Sequence, residues 1–195
     1  MNLPKHKTDA FTIIELLTVV AIIAILSGIL IPVAGGIIRQ SRIAASKARL
    51  WQYITAIEQF KAEYNYYPSV YGDGGNGNGL IDLSTTNNSQ AFVEALSGRN
   101  HSTGAPKTEG GNYRRIQFYD FSEKEFFENT DGTFSTNQLS DQFNNTNIYI
   151  MIDVDGDGII RPYSSDPDSP GEIKGNATAW VREDSNGNPG YALWE

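Results

Sequence analysis

The 195-residue chain has no cysteine and only two histidines, His6 and His101. Without a thiol it has no disulfide, no thiolate nucleophile and no zinc–sulfur centre. A Ser/His/Asp triad has only His101 to draw on, in a stretch rich in Ser, Gly and Pro, so the chain is read as a non-enzyme. Positive charge is also scarce: 15 Lys and Arg face 23 Asp and Glu, a formal net charge of −8. Nucleic acid demands a basic footprint, so no nucleic-acid partner is expected. Anionic lipid surfaces are disfavoured for the same reason, whereas divalent cations suit the balance. The length allows one domain with a modest core.

What is present is unevenly spread. The strongly apolar residues crowd before Ile38, and the rest is rich in Gly, Asn, Asp, Ser and Tyr. This is the pattern of a greasy stalk followed by a soluble head. Phe11 to Ile31 reads FTIIELLTVVAIIAILSGILI, with Glu15 its one charge. As a helix it spans roughly 32 Å, about one bilayer core. Lys5 and Lys7 precede it and the next basic residue is Arg39, which predicts a cytoplasmic N-terminus and a head on the far side. A signal peptide cut near Pro32 and a plain signal anchor are two readings of this run. Neither explains an acid inside the apolar segment, which is costly and by default functional.

The stretch Asp9-Ala10-Phe11-Thr12-Ile13-Ile14-Glu15-Leu16-Leu17-Thr18-Val19-Val20-Ala21-Ile22-Ile23 resembles the class III prepilin signature of the type IV pilin-like family. In outline the chain is similar to the major (G-type) pseudopilins of type II secretion. The resemblance implies a leader, residues 1–10, cut between Ala10 and Phe11, with Ala10 where the family usually has Gly. It implies N-methylation of Phe11, and a role in assembly for Glu15, which would pair with the new amine of a neighbouring subunit; snorkelling of Glu15 to the membrane interface, one turn from the cut end, is the alternative. Pro32 matches a proline common in the family's helix. The partners implied are other copies of the chain in a filament, a prepilin peptidase/methyltransferase, an inner-membrane assembly platform and minor pseudopilins. The location implied is the inner membrane, single-pass, with the head periplasmic and then part of a periplasmic pseudopilus that drives protein export. A type IV pilus subunit for adhesion, motility or DNA uptake is the runner-up; such pilins commonly carry a C-terminal disulfide, and this chain has no Cys. A minor tip subunit and a signal-anchored calcium-dependent hydrolase or binding module are further alternatives.

The fold expected is α+β: a long N-terminal helix, transmembrane then amphipathic, packed against a small C-terminal antiparallel β-sheet. Residues 11–38 form the transmembrane or filament-core part, with a kink or local melting expected at Ser27-Gly28 and Pro32. Residues 39–67 continue the helix, for a total on the order of 80 Å. Ile43, Leu50, Ile54, Ile57 and Tyr64 make one apolar face, and Ser41, Gln52, Thr55, Gln59 and Glu63 lie opposite. Tyr66-Tyr67-Pro68 resembles the stop after the long helix in major pseudopilins. Residues 68–195 are the head. Gly72 to Gly79 is a loop, and Ser89 to Gly98 a short helix with Ser89 as N-cap. Arg115 to Phe121 is expected as a strand. Asn147–Asp153, Thr178–Arg182 and Tyr191–Trp194 are expected as a β-meander, with an Asn-Gly turn at 186–187. Asp141-Gln142-Phe143-Asn144 stands where the family normally has Asp-Pro-Trp-Gly.

Asp153-Val154-Asp155-Gly156-Asp157-Gly158-Ile159 sets three carboxylates at alternate positions before glycine, a pattern that aims oxygens at one hard cation. Calcium is the cofactor expected, with the Ile159 carbonyl and Ser164 at the later ligand positions of an EF-hand-like loop, or Asp166 or Asp168 bending back. A hairpin turn without an ion is the alternative. The resemblance implies a second calcium loop before the final strand, at Asp184, Asn186 and Asn188, where a plain turn competes. With no disulfide, an ion would staple the loop-rich C-terminal region.

Overall fold

The computed structural model describes residues 12–70, 79–162 and 170–194, apart from the side chains of residues 30–34. It is an α+β protein: a long N-terminal helix followed by small antiparallel sheets. Helix α1 runs from Ile13 to Tyr64. The chain divides into two units, one ending at Ser41 and one beginning at Arg42.

In the first unit the described large apolar side chains, from Ile13 to Ile29 and at Ile37 and Ile38, are exposed. They face every direction, so this stretch has no polar side to offer water. α1 is one helix through Ser27-Gly28 and Pro32, so the local melting expected there is not found.

In the second unit the rest of α1 is amphipathic. Leu50, Tyr53, Ile54, Ile57 and Phe60 are buried, Ile43 and Tyr64 pack at the margin, and Gln52, Thr55, Gln59 and Glu63 are exposed. Lys61 sits in the last turn, where it complements the negative end of the helix dipole. Asn65 then adopts φ 62° and its N–H donates to the Lys61 carbonyl at 2.8 Å, closing the helix before Pro68.

The buried face of α1 is covered by a four-stranded sheet. Its strands are β1 (Leu80–Asp82), β4 (Ile148–Ile152), β7 (Ala177–Val181) and β8 (Tyr191–Ala192), in the order β1-β4-β7-β8, all antiparallel. Alternation sends Ile148, Ile150, Ile152, Ala179, Val181 and Tyr191 into the core shared with α1. Leu80, Met151, Trp180 and Ala192 point the other way and form a second cluster with Ile160 and Ile173. Those two come from a ribbon of β5 (Ile159–Ile160) and β6 (Ile173–Lys174). Burial on both faces explains why Ile148–Ile152 reads as a continuous apolar run.

Helix α2 (Thr86–Ser97) packs Phe92, Val93 and Leu96 into the main core. Its N-cap is Thr85, not Ser89: Thr85 accepts from the Asn88 N–H, and the Ser89 hydroxyl instead accepts from Leu139 N–H at 2.7 Å. Leu139 ends β3 (Phe134–Leu139), which pairs with β2 (Phe126–Glu128). The predicted Gly98 terminus holds, at φ 67°; a Cβ there would also lie 2.7 Å from the Arg115 carbonyl oxygen. Arg115 to Phe121 is not a strand. Asn112 takes the backbone of Ile116, and the Leu96 carbonyl accepts from Phe118 and Tyr119, so the segment is held to α2 without a ladder. The 72–78 part of the expected glycine-rich loop lies outside the described residues.

Candidate functional site

Glu15 lies in the first turn of α1. Its carboxylate accepts from the Thr12 N–H at 2.8 Å and from the Thr12 hydroxyl at 2.7 Å, while the Glu15 N–H donates to the Thr12 hydroxyl oxygen at 3.3 Å. This is a reciprocal capping box with Thr12 as N-cap. The acid is therefore satisfied within its own chain. The signal was available as Thr-x-x-Glu at the head of an apolar run, and the sequence reading, occupied with the charge, missed it. Ala10 and Phe11 lie outside the described residues, and Pro32 is described only as part of α1.

The acidic loop between β4 and β5 brings Asp153, Asp155 and Asp157 together, with one carboxylate oxygen of each within 4.8 Å of the others. Asp153 closes β4, and its N–H donates to the Asn176 carbonyl at 2.8 Å. Its two carboxylate oxygens accept from Gly156 N–H at 2.7 Å and Gly158 N–H at 2.8 Å. Gly156 and Gly158 have φ 77° and 75°, so the glycines let the backbone curl around this carboxylate. Burial raises the Asp153 carboxyl, but donors from Gly158 and Gly156 and contact with Asp155 outweigh it and hold the group below its ordinary value. Asp157 accepts from Ile159 N–H at 2.7 Å and, through its other oxygen, from both terminal nitrogens of Arg161 at 3.0 Å. Arg161 supplies positive charge beside the three acids. Carboxylate oxygens within 4.8 Å of one another, about twice a calcium–oxygen distance, form an oxygen-only donor set that fits a hard cation. Ile159 enters β5 opposite Lys174, and Ser164, Asp166 and Asp168 lie outside the described residues.

The second loop is organised around Asp184. One oxygen accepts from Asn186 N–H and Asn188 N–H at 2.9 Å each, and the other from the Asn188 side-chain amide at 2.7 Å. Burial raises this carboxyl and the Asn188 and Asn186 donors more than reverse it, leaving it below the usual value. Asn186 and Asn188 thus turn their amides inward on Asp184 as donors. That is the arrangement of a side-chain-capped turn, with Gly187 at φ 78°. His101, the head's one imidazole, is stacked on Phe126 with centroids 4.2 Å apart.

Comparison with protein families gives one match: the prokaryotic N-terminal methylation motif, over residues 5–31. No curated protein matches the chain, and no solved structure does. The matched motif is the class III signal of type IV pilin-like proteins, and it supports a structural, pilin-like subunit processed by prepilin peptidase and assembled into pilus-like filaments. It is a motif of N-terminally anchored membrane proteins. Among the described residues no helix is long and apolar enough to cross a membrane.

Proposed function

We propose that the chain is a structural subunit of a type II secretion pseudopilus. It is cut between Ala10 and Phe11, methylated on Phe11, and drawn from the inner membrane into a periplasmic filament that drives protein export. The observation that carries this reading is the first part of α1. Its side chains are apolar all round and exposed, directly behind a methylation motif. Such a surface is stable only in lipid or against other helices of its kind. Membrane residence before assembly and helix bundling after it satisfy the same residues in turn.

Glu15 has a place in both states. In the single subunit the Thr12 cap holds it. In the filament the freed, methylated amine of a neighbouring Phe11 pairs with it, and a paired charge is tolerated in an apolar setting where a lone one is not. Calcium belongs to the same proposal: Asp153, Asp155 and Asp157 hold it, with the Ile159 carbonyl, Ser164 and Asp166 as further ligands. The ion's place is to tie the end of β4 to the ribbon. The Asp184 loop satisfies its own carboxylate and is the weaker ligand set.

Deleting the chromosomal copy separates secretion from motility. The pseudopilus reading expects exported proteins to accumulate in the periplasm, twitching and DNA uptake to stay intact, and a secretin and export ATPase to be encoded nearby. Normal export with lost surface fibres would move the assignment to a type IV pilus.

A further inference from the structure

The second unit carries two surface features that neither the methylation motif nor the acidic loop uses, and they lie on opposite flanks of α1. The first is a groove of about 370 Å³ between α1 and the strands β6 to β8, lined by Trp51, Ile54, Glu58, Ala177, Leu193 and Trp194. Trp51 is 53% exposed, an unusual state for an indole on a helix that buries its neighbours. Within the groove the Glu58 Oε1 atom is buried and has no hydrogen-bond partner among the described residues. A buried carboxylate oxygen without a donor is costly, and native proteins rarely leave one so. Lys61, almost one turn on, feels the Glu58 charge but donates to the Tyr67 hydroxyl at 2.8 Å and lies over that ring, and Lys174, which also lines the groove, does not donate to Glu58 Oε1.

The second feature is the turn Asn112–Ile116, on the flank where Arg114 pairs with Glu63 and Tyr119 donates to Gln52. Asn112 is wholly buried. Its amide donates to the Ala95 and Ile116 carbonyls at 2.7 Å, and its oxygen accepts from Tyr64 and from Ile116 N–H. With every polar atom satisfied, this residue fixes the turn as a rigid platform. The platform holds Arg115 at φ 56°, a left-handed conformation that a bulky residue keeps only when its surroundings enforce it. It also presents Tyr113 at 73% exposure. The Arg115 guanidinium has no hydrogen bond or ion pair among the described residues. Tyrosine and arginine on a rigid support are the residue types that dominate protein interfaces.

We propose that the Tyr113–Arg115 turn of one copy seats in the α1 groove of the next copy, with Arg115 donating to Glu58 Oε1 and the Tyr113 ring lying against Trp51. A guanidinium supplies the donor that the buried carboxylate lacks. On a surface of net charge −8 this cationic turn also answers the repulsion between copies. Because donor and acceptor lie on opposite flanks, each copy offers both halves. The contact is therefore heterologous and repeats from copy to copy instead of closing into a pair. The proposal rests on the reading of the chain as a filament subunit and places a head-to-head contact within that filament.

The test uses the full-length, processed chain, with filaments measured by sedimentation and electron microscopy. Arg115→Glu and Glu58→Arg, made singly, each raise the concentration needed for assembly by at least about tenfold. The double reversal returns it to within about threefold of wild type. Trp51→Glu, at an exposed position, gives the same loss and stands in if Glu58→Arg fails to fold. Single reversals that assemble like wild type, or a double reversal no better than the worse single, overturn the interface and leave the filament reading standing. A processed wild-type chain that stays monomeric overturns both.

Discussion

Replacing Asp141 with alanine removes an acceptor on which distant parts of the head converge. Asp141 is 7% exposed. One carboxylate oxygen accepts from Phe143 N–H at 2.7 Å and Asn145 N–H at 2.9 Å, and the other from the Tyr191 hydroxyl at 2.7 Å. Next to it, Gln142 N–H donates to Ser46 of α1, and Asn145 donates to the Arg182 carbonyl after β7. Alanine leaves two N–H groups and a buried hydroxyl unmet, at roughly 1–3 kcal/mol each before water enters and before the burial cost of the carboxylate is relieved. The expected net loss is about 3 kcal/mol. For a domain of this size that lowers the melting temperature by about 6–12 °C. Asp141→Asn keeps the oxygen that faces the two N–H groups, and the Tyr191 hydroxyl can rotate to accept from the new amide, so its cost is below about 1 kcal/mol. The variants also differ in pH response. Burial raises the folded Asp141 carboxyl above its ordinary value, only partly countered by the Tyr191, Asn145 and Phe143 donors. The folded head therefore binds this proton more readily than the unfolded chain. That stability is fully present below the unfolded value, about 3.9, and is lost as pH rises through the higher folded one. Asp153 and Asp184, held below their ordinary values, act in the opposite sense, so the quantity to follow is the difference between variants: in thermal melts of the detergent-solubilised chain from pH 3.5 to 7, the stability of wild type relative to Asp141→Asn declines as pH rises. A cost below about 1 kcal/mol for Asp141→Ala, or an Asn variant as damaging as Ala, contradicts this role for the carboxylate.

Three further outcomes follow from the structure. Gly98→Ala meets the Arg115 carbonyl at 2.7 Å and is strained at φ 67°, so denaturant melts show a loss of about 1–3 kcal/mol. Millimolar calcium raises the melting midpoint of wild type relative to excess chelator, by the equivalent of about 2.7 kcal/mol at a hundredfold excess over Kd; Asp155→Asn with Asp157→Asn abolishes the difference, and identical wild-type midpoints would remove the calcium proposal. Glu15→Ala leaves cleavage largely intact and blocks filament formation, whereas Thr12→Val, which deletes only the cap hydroxyl, weakens the helix start by about 1 kcal/mol and still assembles. Electron microscopy of the two variants separates a local cap from an intersubunit pair.

The elements legible in the sequence are those whose own residues decide them. The α1 face from Ile43 to Tyr64, the Gly98 terminus and strands β4, β7 and β8 follow from local period and turn chemistry. So does the gathering of Asp153, Asp155 and Asp157, because alternate acids between glycines curl into one turn. What escaped was set by distant partners. Arg115 to Phe121 alternates like a strand, but Asn112 and the Leu96 carbonyl take its backbone groups first. Ser89 is a fair N-cap by type, yet Leu139, fifty residues on, claims its hydroxyl and Thr85 caps instead. Asp141 reads as a polar turn residue until the fold brings Tyr191 to it. The short β2, β3, β5 and β6 have too few residues to show a period. Thr12 was a different kind of omission, since its partner Glu15 stands three residues away.

Mass spectrometry of the N-terminal peptide, from chain expressed in cells that carry a prepilin peptidase, bears most directly on the whole account. A peptide that begins with N-methylated Phe11 is the predicted result. An intact Met1, or a first residue just after Pro32, contradicts it.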